Sequence, residues 1–201
     1  MSRALNSFFS PQSVAVIGAS RTPTKVGAVI LKNIIDSGFL GKIYPVNPQA
    51  ESINDLKCYP DIKSLPEIPD LTIIVIPAAF VAGEVEKIGR LGGKNVIVIT
   101  AGFKEIGEQG ALLEKKLQEI AAKYRLNLLG PNCLGFVNNS LPLNATFSSV
   151  HAPVGNIRFI SQSGALASGI FDWCEEKTLG LSEFITLGNK ADINENDVLQ
   201  Y

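Results

Sequence analysis

The sequence predicts a doubly wound α/β fold built on a parallel sheet, and three observations predict it. Short apolar, β-branched runs recur along the chain at a steady interval. The intervals between them mostly carry amphipathic helical patterns. The runs are continuous rather than alternating, as strands covered on both faces require. Strand–helix alternation of this kind implies right-handed crossovers and therefore parallel neighbours.

The elements follow in chain order. The first strand is S-V-A-V-I at 13–17. A helix over 26–37 sets Val26, Val29, Ile30 and Ile34 on one face and closes near Gly38. The second strand is K-I-Y-P-V at 42–46. In the interval 51–70, Pro60, Pro66 and Pro69 limit any helix to a short turn. The third strand is 71–76, and the helix over 80–91 carries Val81, Val85, Ile88 and Leu91. The fourth strand is 95–100, followed by a helix over 107–124 with Leu112, Leu113, Leu117, Ile120 and Ala121 opposite its charges. N-L-L at 127–129 is the fifth strand, so residues 1–138 form one doubly wound domain. After an irregular stretch at 138–155, a second unit over 139–201 offers a strand at 156–161, a helix over 164–177 with Phe171 and Trp173 in its core, and an element at 181–187. A polar loop, G-N-K-A-D-I-N-E-N, follows. A two-stranded sheet is marginal alone. The second unit therefore reads as incomplete, with Ile157, Phe159, Ile160 and Phe184 as apolar surface for self-association or a partner chain.

Composition narrows the function. Hydrophobic residues make up 46% and charged residues 18% of the 201 positions, which excludes a disordered chain. Lys and Arg number 18 against 19 Asp and Glu, so electrostatics give no case for nucleic acid or an anionic membrane as partner. Cys58, Cys133 and Cys174 are odd in number and lack C-x-x-C spacing, which indicates neither a disulfide framework nor a zinc site. No metal site is expected. A reducing, cytoplasmic compartment fits these thiols. There is no signal peptide and no run near the ~20 apolar residues of a membrane span.

Ligands of doubly wound sheets bind at the carboxyl ends of the strands. The first such loop, Gly18-Ala19-Ser20-Arg21-Thr22-Pro23-Thr24-Lys25-Val26-Gly27, leads small and hydroxyl residues into a helix start, which suits a phosphate. It lacks the second glycine of G-x-G-x-x-G, and the second strand ends in Asn47-Pro48 rather than in the ribose-binding acid of NAD sites. An amide and nearby bases (Arg21, Lys25, Lys42) instead accept a phosphorylated ribose, such as that of coenzyme A. The ends Ile76-Pro77-Ala78-Ala79, Thr100-Ala101-Gly102-Phe103 and Gly130-Pro131-Asn132-Cys133-Leu134-Gly135 are all small and turn-forming, which favours a groove for an elongated ligand. In the second unit, Ser161-Gln162-Ser163-Gly164-Ala165 stands at a helix start, either as an anion cradle or as ordinary N-caps.

Taken together, S-V-A-V-I-G-A-S-R, K-I-Y-P-V-N-P, I-T-A-G-F, G-P-N-C-L-G and F-I-S-Q-S-G-A-L closely resemble the ADP(NDP)-forming acyl-CoA synthetases. That family is similar to the α subunit of succinyl-CoA synthetase. The resemblance implies a Rossmann-like CoA-binding domain over 1–138 and the start of a flavodoxin-like, succinyl-CoA-synthetase-type domain over 139–201. It implies that Gly18, Ala19, Ser20, Arg21, Lys25 and Gly27 hold CoA together with Asn47, Pro48, Pro77, Ala101, Gly102, Asn132 and Cys133, the G-P-N-C loop lying near the thiol. Ser161, Gln162, Ser163 and Gly164 would face a phosphate. The implied reaction converts acyl-CoA and phosphate to acyl phosphate and CoA, then passes the phosphoryl group to a histidine and on to ADP. The implied partners are CoA, a small carboxylic acid, and an ATP-grasp domain or β subunit that handles ATP/ADP and Mg, with a second copy of the chain as a further candidate. The nucleophilic histidine is expected beyond Tyr201, because His151 matches no phosphohistidine motif and reads as a surface loop residue. This chain alone is therefore expected to bind CoA without turnover. Cys133 has no base near it in sequence and reads as a small buried residue beside the CoA thiol. Two other readings stay open: a CoA-binding module (fused to a lysine acetyltransferase, or non-catalytic) and an NAD-sensing domain, the latter disfavoured by the missing glycine and acid.

Overall fold

A computed structural model describes residues 5–148 and 153–201. His151 lies outside them. In chain order the elements are α1 (Asn6–Phe9), β1 (Ser13–Ile17), α2 (Val26–Asp36), β2 (Lys42–Val46), β3 (Ser52–Ile53), β4 (Leu56–Lys57), β5 (Leu71–Ile74) and α3 (Ala78–Leu91). They continue as β6 (Asn95–Val98), α4 (Glu108–Tyr124), β7 (Asn127–Leu129), β8 (Gly135–Asn138), β9 (Leu143–Thr146), β10 (Val154–Ser161), α5 (Leu166–Glu176), β11 (Leu181–Thr186) and α6 (Glu195–Gln200).

The first sheet is parallel, in the order β2-β1-β5-β6-β7. Its central strands explain their own continuous apolar character. Val14 and Val16 of β1 join Ile73 and Ile97 in one cluster with Ile30, Leu31 and Ile34 of α2. Ala15 and Ile17 point the other way, to Val81, Val85 and Ile88 of α3 and Leu117 and Ile120 of α4. Period-two alternation thus feeds two cores at once. β5 and β6 end two residues earlier than the apolar runs suggest, because residues 75–77 and 99–101 turn out to line a cleft. Val26 and Leu112, expected on buried helix faces, are 38% and 69% exposed. The core of α4 needs only its Leu117 and Ile120 stripe.

The second sheet has four strands, β10-β11-β8-β9. β10 and β11 are parallel, and β8 and β9 form an antiparallel hairpin on β11. The stretch after residue 138 is thus not wholly irregular. Its strand, L-N-A-T, escapes notice because only Leu143 and Ala145 are apolar, while the buried Asn144 and Thr146 satisfy each other at 2.7 Å. β8 precedes the 138/139 division and β9 follows it, so this sheet draws on both sides.

Much of the expected apolar surface is covered. Phe184 is fully buried, 4.6 Å from the Phe171 ring and 5.6 Å from Phe159. Phe159 and Ile160 are half-buried, and only Ile157, at 39%, counts as exposed. Trp173 is a correction: it is 53% exposed. Phe171 and Cys174, three residues apart on one stripe of α5, take the core positions, and Trp173 falls off that stripe.

The two sheets are joined at several points. Phe136 of β8 packs 5.1 Å from Phe9 and 6.2 Å from Phe8, and Tyr201 lies 4.8 Å from Phe9. Asn33 of α2 donates to the Thr146 and Ser148 carbonyls, both at 2.8 Å. The expected polar loop after β11 is a strap along the outer edge of β7. Asn189 N–H bonds to Pro131 O (2.8 Å), Ala191 to Gly130 (2.9 Å) and Ile193 to Leu128 (3.0 Å). These bonds satisfy an edge that would otherwise be open. Among the described residues no helix is long and apolar enough to cross a membrane.

Candidate functional site

A cleft of about 1000 Å³ opens where the carboxyl ends of both sets of parallel strands meet. The first sheet contributes Val26 and residues 75–77, 99–101 and 132–134. The second contributes Phe147, Ser148, residues 162–165, Gly188 and Asn189. Of the residues expected at a site, the cleft brings together Pro77, Ala101, Asn132, Cys133, Gln162, Ser163 and Gly164. Gly18, Ala19, Ser20, Arg21, Lys25 and Gly27 occupy the loop leading into α2, whose Val26 reaches the cleft. Asn47 and Pro48 follow β2, and Gly102 and Ser161 sit just behind lining residues.

Two glycines allow the first loop to lie flat. Gly18 has φ +92°, and a Cβ there would fall 2.3 Å from the Val75 carbonyl oxygen. Gly27, in the first turn of α2, would put a Cβ 2.0 Å from the Gly18 oxygen. Helix and loop are thus pressed backbone to backbone, as a phosphate-binding turn requires. Ser20 Oγ accepts from Thr22 N–H at 3.1 Å and holds the turn. The Asn47 amide braces it as well, with Nδ2 donating to Ala19 O at 2.7 Å and Oδ1 accepting from Gln49 N–H at 2.8 Å. Arg21 and Lys25 are exposed on this loop. Lys42 is not part of the site. It opens β2 at the opposite end of the sheet, with its ammonium 2.6 Å from Glu67.

Neither α2 nor α5 has a side-chain N-cap. Ser161 does not cap α5. Its hydroxyl accepts from Ser163 N–H and donates to Ser163 O, both at 3.1 Å, closing the loop on itself. Each helix therefore presents uncapped N–H groups and the positive end of its dipole beside the cleft.

Cys133 is 4% exposed, and its thiol donates to Val98 O at 3.5 Å. Burial pushes that thiol up to about 12, far from thiolate chemistry. Cys58 and Cys174 are buried too. Iodoacetamide at pH 8 is expected to label none of the three thiols in the native protein and all three in denaturant. Rapid native labelling of Cys133, read by mass spectrometry, would contradict this packing role. Among the described residues no group of three His, Cys, Asp or Glu side chains is placed to hold a metal ion.

Sequence reasoning missed Asn189 and its partners. Asn189 Nδ2 donates to Glu105 Oε2 at 2.6 Å and to Glu114 Oε2 at 2.7 Å. Its Oδ1 accepts from Asn132 Nδ2 at 3.3 Å. Lys104 pairs with Glu114 at 3.0 Å and donates to the Asn189 carbonyl. Glu105 also accepts the Gly102 and Phe103 N–H groups, at 2.5 and 3.1 Å. Burial opposes the ionisation of Glu105, but the bonds from Asn189, Gly102 and Phe103 outweigh it and hold the carboxyl below its ordinary range. The one local signal was Gly188-Asn189 directly after an apolar strand.

Comparison with known proteins gives consistent matches. Residues 12–139 match the CoA binding domain, and residues 154–201 match the succinyl-CoA ligase like flavodoxin domain. The chain is 46% identical over 193 residues to acetate–CoA ligase [ADP-forming] I of Archaeoglobus fulgidus, covering 96% of this chain and 28% of that protein. It is 46% identical over 197 residues to acetate–CoA ligase [ADP-forming] II subunit alpha of Pyrococcus furiosus, covering 98% and 43%. The solved dinucleotide-forming acetyl-coenzyme A synthetase 1 of Ca. Korarchaeum cryptofilum, in complex with phosphate and ADP, superposes with a TM-score of 0.93 at 40% identity, over 97% of this chain and 42% of that one. The chain thus spans less than half the length of each of these relatives.

Proposed function

Because the chain belongs to the CoA binding domain family and corresponds to the N-terminal portion of the ADP-forming acetate–CoA ligases, we propose that it binds coenzyme A as part of an ADP-forming acyl-CoA synthetase. The observation that carries this reading is the character of the cleft. Its middle is apolar, with Val26, Ile76, Ile99, Leu134 and Phe147, and an uncapped helix N-terminus adjoins it on each sheet. An elongated ligand with anionic groups and an apolar arm fits such a groove.

In this reading residues 1–138 are the CoA-binding domain and 139–201 the start of the ligase-type domain. The adenosine and its phosphates lie on the loop from Gly18 to Gly27 and beside Asn47 and Pro48, with Arg21 and Lys25 serving the 3′-phosphate. The pantetheine arm runs past Pro77, Ala101 and Gly102, and the thiol reaches Asn132. Cys133 shapes the wall there and takes no chemical part. Residues Ser161, Gln162, Ser163 and Gly164 hold inorganic phosphate at the start of α5. A phosphate oxygen attacks the thioester carbonyl, the CoA thiolate leaves, and acyl phosphate forms. The helix N-terminus stabilises the charge that gathers on the phosphate and the carbonyl oxygen. The phosphoryl group then passes to a histidine and to ADP on parts of the protein outside this chain. Those parts also supply Mg, the nucleotide site and the carboxylic acid pocket, as an ATP-grasp domain or β subunit in a cytoplasmic enzyme. A module that only binds CoA needs the first sheet alone, and the α5 turn at the cleft favours the synthetase.

Calorimetric titration with CoA, 3′-dephospho-CoA and NAD tests this. CoA is expected to bind, the dephospho form roughly 10-fold more weakly for one lost charge-assisted contact, and NAD not at all. Binding of NAD without CoA would move the chain to the dinucleotide sensors.

A further inference from the structure

We propose that Asn189 is a positioning residue for the sulfur-bearing end of the ligand, acting through Asn132; this rests on the CoA reading above. Asn189 is 6% exposed yet lines the cleft. A carboxamide offers two N–H donors and one acceptor oxygen, and all are used here. The two donors go to carboxylates from different elements, Glu105 at 2.6 Å and Glu114 at 2.7 Å. The oxygen accepts the Asn132 amide at 3.3 Å. Asp cannot supply the donors, and an aliphatic residue supplies neither function.

The result is a chain of contacts across three strand ends. Glu105 holds the Gly102 N–H after β6, Asn189 follows β11, and Asn132 follows β7. Backbone packing leaves little freedom around it. Asn132 has φ +57°, and a Cβ on Gly188 would fall 2.3 Å from Pro131 O and 2.5 Å from Asn132 O. Loss of the Asn189 amide leaves two carboxylates facing each other with one Lys104 between them, and leaves the Asn132 carboxamide without its acceptor. Asn132 then no longer has one orientation in the cleft wall. The loop from Gly18 to Gly27, on another strand, is untouched by these bonds.

The test is titration of the wild type, Asn189→Ala, Asn132→Ala and the double variant with CoA and with adenosine 3′,5′-bisphosphate, which lacks the pantetheine arm. Asn189→Ala is expected to weaken CoA roughly 10- to 100-fold, the loss typical of an unsatisfied buried polar group, and to leave the bisphosphate within about 2-fold. The loss should vanish in the Asn132→Ala background, since one pathway carries it. Asn132→Ala leaves the carboxylates paired and must show the same selective loss, so it carries the test if Asn189→Ala does not fold. Unchanged CoA affinity, a parallel fall for both ligands, or a full Asn189→Ala effect without Asn132 would overturn the proposal. A wild type that binds the bisphosphate or nothing, and not CoA, would instead overturn the CoA reading and this proposal with it.

Discussion

Gly27→Ala is expected to destabilise the protein by about 3 kcal/mol, the upper range for overpacking, and to abolish CoA binding. Helix propensity predicts the opposite, because glycine inside a helix costs roughly 1 kcal/mol relative to alanine. The difference lies in what the new methyl meets. At Gly27 it would stand 2.0 Å from the Gly18 oxygen and 2.9 Å from the Gly18 carbonyl carbon. Both are backbone atoms, and Gly18 in turn is pinned against the Val75 oxygen, where its own Cβ would come within 2.3 Å. The loop has nowhere to retreat, so α2 or β1 must move. A chain of this size loses roughly 2–4 °C of Tm per kcal/mol, giving a fall of about 6–12 °C. The control is Gly83→Ala on the exposed side of α3, where a Cβ meets nothing within 4 Å. There propensity alone acts, and a gain of up to ~1 kcal/mol is expected. Differential scanning calorimetry with CoA titration checks both. Equal behaviour of the two variants would show that the loop is not pressed against the helix.

Phe136→Ala is expected to cost about 3–5 kcal/mol, the usual range for a buried aromatic, and to do so in a single unfolding transition. Phe136 belongs to β8 of the second sheet, yet its ring packs on Phe8 and Phe9 ahead of the first sheet. It lies in the same apolar cluster as Val14 and Ile185, one from each sheet. Removing it strips contacts from both units at once. The strap along β7 and the Asn33 bonds to residues 146 and 148 make partial opening costly as well. Two separate transitions in urea, with the first sheet surviving the second, would contradict a shared core. The cleft lies between the two sheets, so CoA is expected to raise the midpoint of the wild type and of this variant alike.

The sequence alone determined the parallel sheet and the edge on which the site lies. Strands β1, β5 and β6 are buried on both faces, and that demand is written into consecutive β-branched residues. The cleft ends, Pro77-Ala78, Ala101-Gly102 and Pro131-Asn132, are small and turn-forming because a ligand and a chain reversal both ask for it, so they are legible too. The first loop was readable as a phosphate turn, but not the brace that Asn47 provides, since the bond to Ala19 spans 28 residues. Tertiary structure alone decided the strand at 143–146, the outward face of Trp173, the strap over β7 and the role of Asn189. The Asn189 side chain reaches Glu105, 84 residues away, and Glu114, 75 residues away. Local patterns record only what a residue's near neighbours along the chain require. A buried amide between two carboxylates, or a half-polar strand whose Asn and Thr satisfy each other, is specified by partners that sequence spacing does not bring together.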